Sequence, residues 1–197
     1  MNILAHAYLS ERHAPWLIGN FIGDFIKGDP AHPRHGLTTG EVAGVRLHRA
    51  IDAFTDAHPD VAAVRTLLYP RCHKYAGVAV DVFFDYQLAV TFAPLTGESL
   101  PTFVADFYAV LQTHVQRLPA PARHMMEAMV RQNWVLNYRT TDGIDRSLRG
   151  IARRTTFASG LETAVDDLIR YDSQIQEHFN RFWPELVAHT QAVKAEL

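Results

Sequence analysis

The sequence predicts a single all-α domain. Three observations predict it: apolar residues recur at helical spacing along most of the chain, Thr38-Thr-Gly-Glu41 and Ser159-Gly-Leu-Glu162 match the capping box that opens helices, and no segment sustains the alternation of a strand. A chain of 197 residues buries roughly 70% of its unfolded surface in one core, and no shift in composition divides it. Residues 1–197 are therefore read as one domain of about seven to nine helices.

Taken in order, residues 2–10 form a short apolar helix interrupted by His6, and Pro15 to Lys27 has helical periodicity with proline in the first turn. Gly28 to Gly36, dense in glycine and proline, is a loop. The Thr38 capping box opens a helix over 39–57, and Pro59 opens the next over 59–69. Tyr75 to Ala93 is apolar without alternation, which at that length is a buried helix broken by Pro94. Helices over 101–117, 121–138 and 143–153 follow, with Pro101 and Pro121 near two starts and Asp142-Gly143 as punctuation. From Ser159 a long helix runs toward Phe182, and Pro184 starts or kinks the last one.

The composition is that of a folded globular protein, with 48% hydrophobic and 20% charged residues. The net charge of −2 gives no general attraction for nucleic acid. No stretch has the length of a membrane span and the first residues lack a signal peptide's basic flank, so the chain is read as cytoplasmic, without a membrane partner. Its one cysteine, Cys72, excludes an internal disulfide and has no cysteine neighbour for a zinc knuckle. Oligomeric state is left open.

The chemistry concentrates in His48, Asp52 and Asp56, spaced four residues apart on one side of the 39–57 helix. Asp24, Asp81 and Asp85 lie in apolar surroundings where an unpaired carboxylate is costly. Between Lys74 and Arg117 there is no lysine or arginine, so a distant guanidinium or a metal is the expected counter-charge for Asp81. Any one of these aspartates alone is explained by the solvent edge of a helix. Together with His48 they make a histidine and carboxylate set suited to Mn²⁺, Fe²⁺, Mg²⁺ or Zn²⁺. His6 is either a packed core histidine or a ligand; His58 and His73 sit near helix ends, as caps do.

A carboxylate-rich metal site lowers the pKa of bound water and polarises phosphoryl oxygen, so phosphoester hydrolysis is the reaction class expected. No Gly-x-Ser-x-Gly elbow, phosphate loop or dinucleotide fingerprint occurs. Arg146, Arg149, Arg153 and Arg154 form a run without an acid, with 146, 149 and 153 on neighbouring parts of a helix. That run is either a solvated basic face or a receiver for phosphate or an acidic protein, and Arg139 is expected to extend it.

Met1-Asn-Ile-Leu-Ala-His6, Gly19-Asn-Phe-Ile-Gly-Asp24-Phe-Ile-Lys-Gly28, Gly44-Val-Arg-Leu-His48-Arg-Ala-Ile-Asp52-Ala-Phe-Thr-Asp56 and Asp81-Val-Phe-Phe-Asp85 resemble the acyl-carrier-protein phosphodiesterase family, a divergent branch of the HD-type metal phosphohydrolases. The resemblance implies an HD-like helical arrangement and hydrolysis of the phosphodiester between 4′-phosphopantetheine and a serine of holo-acyl carrier protein. It implies Mn²⁺ first, with Mg²⁺, Fe²⁺ or Zn²⁺ as alternatives, and acyl carrier protein as the protein substrate. The family's metal pattern carries onto Asp24, His48, Asp52 and Asp81, with His6 and Asp85 behind them. Asp24, His48, Asp52 and His6 are the implied catalytic set, His6 being one candidate to protonate the leaving serine. Arg146, Arg149, Arg153 and Arg154 are the expected carrier-protein surface. The adjacent His-Asp pair that defines HD enzymes occurs nowhere in the chain, so roles from that larger group do not copy position by position. The alternatives are an HD-like enzyme for a nucleotide or other small phosphoester, and a non-catalytic carrier-protein-binding module.

Overall fold

The computed structural model describes all 197 residues and contains no β-strand. Its α-helices are α1 Ile3–Leu9, α2 Ala14–Phe21, α3 Thr39–Ala57, α4 Pro59–Cys72, α5 Ala76–Val90, α6 Phe92–Thr96, α7 Leu100–Thr113, α8 Ala120–Gln132, α9 Trp134–Asn137, α10 Thr141–Ala152 and α11 Val165–Lys194. Without the two shortest, α6 and α9, nine remain, at the upper end of the expected number. All pack around one cluster of 47 buried residues, and no helix is long and apolar enough to cross a membrane.

The capping box at Thr38 forms as expected, with the Glu41 N–H donating to the Thr38 side chain and the Thr38 N–H to the Glu41 carboxylate. Glu41 is also held by Arg117, whose guanidinium reaches both carboxylate oxygens at 2.8 and 2.6 Å. This anchors α3 at its start. On the core side α3 buries Val45, Leu47 and Ile51. Long α11 closes the opposite side, its Phe179 and Phe182 meeting Phe84 of α5 at ring distances of 5.6 and 5.2 Å.

α2 and α3 touch backbone to backbone, which a pair of glycines makes possible. A Cβ on Gly19 would lie 2.0 Å from the Glu41 carbonyl oxygen, and one on Gly44 would lie 2.3 Å from that of Trp16. The contact brings Asn20, the next residue of α2, beside His48 on α3.

Several boundaries differ from expectation. The helix expected over Pro15–Lys27 ends at Phe21; Gly23–Phe25 is a 3₁₀ turn, which swings Asp24 out of the helix and into solvent. The 75–93 helix breaks at Thr91 rather than Pro94, which sits in the first turn of α6 where its missing N–H costs nothing. Asn133, in the left-handed conformation with φ 51°, divides the 121–138 segment into α8 and α9. The helix over 101–117 stops at Thr113 and continues as a 3₁₀ turn. α10 starts two residues early because Thr140 caps it, accepting from the Gly143 N–H. α4 continues past 69 to Cys72. The Ser159 box makes only a 3₁₀ turn at Leu161–Thr163, and the last helix runs unbroken from 165 through Pro184 to 194.

Candidate metal centre

Four elements meet at the bottom of a cavity of about 930 Å³. Asp52 is the hub: its Oδ1 lies 3.1 Å from His6 Nε2 on α1, and its Oδ2 lies 3.1 Å from His48 Nε2 one turn earlier on α3. The ligand atoms of His6, His48 and Asp52 all lie within 4.8 Å of one another. Asp24 stands at the open edge of this group, Oδ1 3.4 Å from His48 Nε2, with its side chain 82% exposed. Both imidazoles are buried, their ring centroids 4.5 Å apart.

The electrostatics are those of a site arranged for positive charge. No lysine or arginine pairs with Asp24 or Asp52. Burial opposes charge on His48, yet the carboxylates of Asp24 and Asp52 outweigh it and raise its pKa to about 9. Burial alone would raise the Asp52 pKa, but hydrogen bonds from His48 and His6 hold its carboxyl well below the usual range. Asp24 is lowered too, mainly by His48. In His6, burial prevails and lowers the pKa despite Asp52. Nε2 of both imidazoles converges on the Asp52 carboxylate; a divalent cation held there would satisfy both carboxylates and both Nε2 lone pairs. The donor set of two nitrogens and two carboxylates fits Mn²⁺, Fe²⁺ or Zn²⁺, and less closely the oxygen-preferring Mg²⁺.

The two aspartates of α5 stand apart from this group. Asp81 lines the same cavity, but its Oδ1 accepts from the α-ammonium of Met1 at 2.8 Å. The partner of Asp81 in this structure is thus the Met1 ammonium and not a guanidinium. Asp85 is fully buried and accepts from the backbone N–H groups of Leu4 at 2.7 Å, Ala5 at 3.2 Å and Asn2 at 3.3 Å. Asn2 makes no side-chain cap for α1, so Asp85 serves as that cap from another helix and fixes the helix that carries His6. Burial still pushes the Asp85 carboxyl up to about 7 against the pull of those donors. Asp56 lines the cavity one turn beyond Asp52, exposed and in no ion pair.

Asn20 is the residue that sequence reasoning passed over. Its Oδ1 lies 2.7 Å from His6 Nδ1 and 3.2 Å from His48 Nδ1, behind both rings. Its only signal was position, a polar side chain four residues before Asp24 on the apolar face of α2. Gly23 matters similarly, since a Cβ there would lie 2.3 Å from His48 Cγ.

The arginine run reaches the same cavity. Arg146 and Arg149 of α10, with Arg153 and Arg154 just beyond it, are exposed and line the cavity that Asp24 and Asp52 also line. Arg149 is partly neutralised, its Nε donating at 2.7 Å to Asp145, the residue just before the acid-free run. Arg146, Arg153 and Arg154 form no ion pair. Arg139 is exposed and takes no part in the lining. Phe107 and Trp134 add apolar surface to the cavity.

The family model for acyl carrier protein phosphodiesterase matches residues 1–186. The chain belongs to this family. Among its relatives, the acyl carrier protein phosphodiesterase of Photorhabdus laumondii is 29% identical over 188 residues, covering 95% of this chain and 93% of that protein. That of Enterobacter sp. (strain 638) is 31% identical over 192 residues, covering 97% and 98%. The Escherichia coli O157:H7 protein of the same name is 28% identical over 189 residues, covering 95% and 96%. No solved structure matches the chain.

Proposed function

We propose that this protein hydrolyses the phosphodiester joining 4′-phosphopantetheine to a serine of holo-acyl carrier protein, and that it uses a divalent metal to do so. The observation that carries the reading is one cavity floored by His6, His48, Asp52 and Asp24 and walled by unpaired arginines, in a chain of this family. In the balanced reaction a water oxygen bonds to phosphorus, the bond from phosphorus to the serine oxygen breaks, and the serine oxygen takes a proton. Apo-carrier protein and free 4′-phosphopantetheine result.

His48 and Asp52, with His6 and Asp24, would hold the cation, Mn²⁺ first; His6 here takes the place that the resemblance gave to Asp81, whose carboxylate is engaged by Met1. Bound there, the ion would lower the pKa of an attached water and offset negative charge on phosphoryl oxygens. A His6 that ligates through Nε2 has no proton to give at that atom, so ligand and general acid are exclusive roles for it. Arg146, Arg153 and Arg154 supply uncompensated positive charge at the cavity wall, where the phosphodiester and an acidic carrier-protein surface would meet it. The HD-like classification remains part of this proposal and rests on the family resemblance.

The test is incubation of the purified chain with holo-acyl carrier protein and Mn²⁺, followed by intact-mass measurement. Loss of the phosphopantetheine mass is expected, with Asp24→Ala slower by at least about 100-fold. Retention of the full mass by a folded, metal-loaded protein that cleaves a small phosphodiester would favour the small-substrate reading instead.

A further inference from the structure

We propose that Asn20 is the positioning residue of the centre: a single side-chain oxygen that fixes the tautomer and ring orientation of both His6 and His48. The proposal rests on the metal-centre reading above and adds to it a residue that touches neither substrate nor metal.

The surroundings of Asn20 fix the orientation of its amide. The side chain is buried, with 1% of its surface exposed, and its Nδ2 faces the His6 carbonyl oxygen at 3.1 Å and the Ser10 hydroxyl at 2.8 Å. The Ser10 hydroxyl itself donates to the His6 carbonyl at 2.8 Å, so its oxygen is left to accept from Asn20. A carbonyl oxygen can only accept, which means the amide edge turned toward it must be the NH₂. The other edge, Oδ1, is thereby directed at the two Nδ1 atoms, at 2.7 and 3.2 Å. An amide oxygen cannot donate either. Both Nδ1 atoms must carry hydrogen, and the lone pair of each neutral ring is placed on Nε2, the atom that faces Asp52.

One oxygen thus selects the same tautomer in two histidines from two helices. Metal-ligating histidines commonly have such a partner at the far nitrogen, and losing it costs about 10- to 100-fold in metal affinity. Here a single residue serves both rings, and the α2–α3 glycine contact puts it there. Its fourth hydrogen bond, to Ser10, is structural and separable, because Ser10 contacts neither imidazole side chain.

The test compares Asn20→Ala, Asn20→Asp and Ser10→Ala by Mn²⁺ titration followed by electron paramagnetic resonance. Long-range ¹H–¹⁵N spectra of the imidazoles, recorded on the metal-free chain in alkaline solution where the rings are neutral, read the tautomers. Asn20→Ala is expected to weaken Mn²⁺ binding by about 10- to 100-fold and to abolish the uniform Nδ1–H pattern. Asn20→Asp keeps an acceptor for both rings and loses the donor to the His6 carbonyl, so the Nδ1–H tautomers should be retained while thermal stability falls. Ser10→Ala should lower thermal stability and leave affinity and tautomers unchanged. Should Asn20→Ala not fold, the Asp and Ser10 variants decide. Wild-type affinity with Nδ1–H retained in Asn20→Ala, weakened affinity in Ser10→Ala, or loss of Nδ1–H in Asn20→Asp would overturn the proposal. Failure of the wild-type chain to bind Mn²⁺ or Zn²⁺ overturns the metal-centre reading itself and is recognised in the same titration.

Discussion

Two groups of histidines and acids lie along this fold, and they differ in one respect that decides what each does. Between α4 and α11, Asp60 receives His178 Nδ1 at 2.6 Å and Arg181 at 2.8 Å, while His58 caps Asp60's own N–H and meets Glu185 at 3.3 Å. At the cavity floor, Asp52 receives His6 and His48 at similar distances. The first group contains a guanidinium, a permanent cation, and its charge is balanced inside the protein. The second has none, and it opens onto a cavity. Histidine and aspartate in contact therefore do not by themselves point to a cation; carboxylates that lack a guanidinium partner make the second group the candidate.

Substitution separates the two groups. Asp52→Ala should remove Mn²⁺ binding and lower kcat/KM on holo-acyl carrier protein by at least about 1,000-fold, or some 4 kcal/mol of transition-state stabilisation. Asp60→Asn should leave both unchanged, and a large loss of activity there would break the distinction. Steady-state kinetics with direct metal titration of the two variants is the measurement.

A smaller effect is expected at the cavity wall. Arg149→Glu combined with Arg153→Glu should raise KM for holo-acyl carrier protein by about 10-fold, with Mn²⁺ affinity intact and the salt dependence of turnover reduced. An unchanged KM at low ionic strength would leave these arginines as a solvated face.

The last effect is on stability rather than activity. Removing the Asp60 carboxylate should cost about 2 kcal/mol in urea unfolding near neutral pH, since it holds the Arg181 guanidinium and the His178 imidazole. Burial alone would raise the Asp60 pKa, but His178 and Arg181 outweigh it and lower it. A depressed carboxyl stabilises the fold above its unfolded pKa and loses that contribution as pH falls through the folded one. The stability gap between wild type and Asp60→Asn should therefore be full above about pH 4 and close in more acid solution. A gap that persists in strong acid would mean that Asp60 acts by packing rather than by charge.

The legible part of the site was the part written on one helix. His48 and Asp52 share a face because their spacing is that of a helical turn, and the structure keeps them 3.1 Å apart. Asp24 was legible as an aspartate in apolar company, though its escape into solvent depends on a 3₁₀ turn that periodicity does not announce. Asp81 and Asp85 read alike, yet one meets the Met1 ammonium and the other caps α1, because their partners are backbone groups that carry no sequence signature.

By itself the sequence determined an all-α chain, most of its helix starts and the candidate pair on α3, since capping chemistry and helical period are local properties. Only the tertiary structure decided that His6 joins that pair, that Asn20 stands behind both imidazoles, and that the arginines of α10 line the same cavity. These are relations between helices, and they depend on how closely two backbones approach. That approach is set at Gly19 and Gly44, where the absence of a side chain decides the geometry.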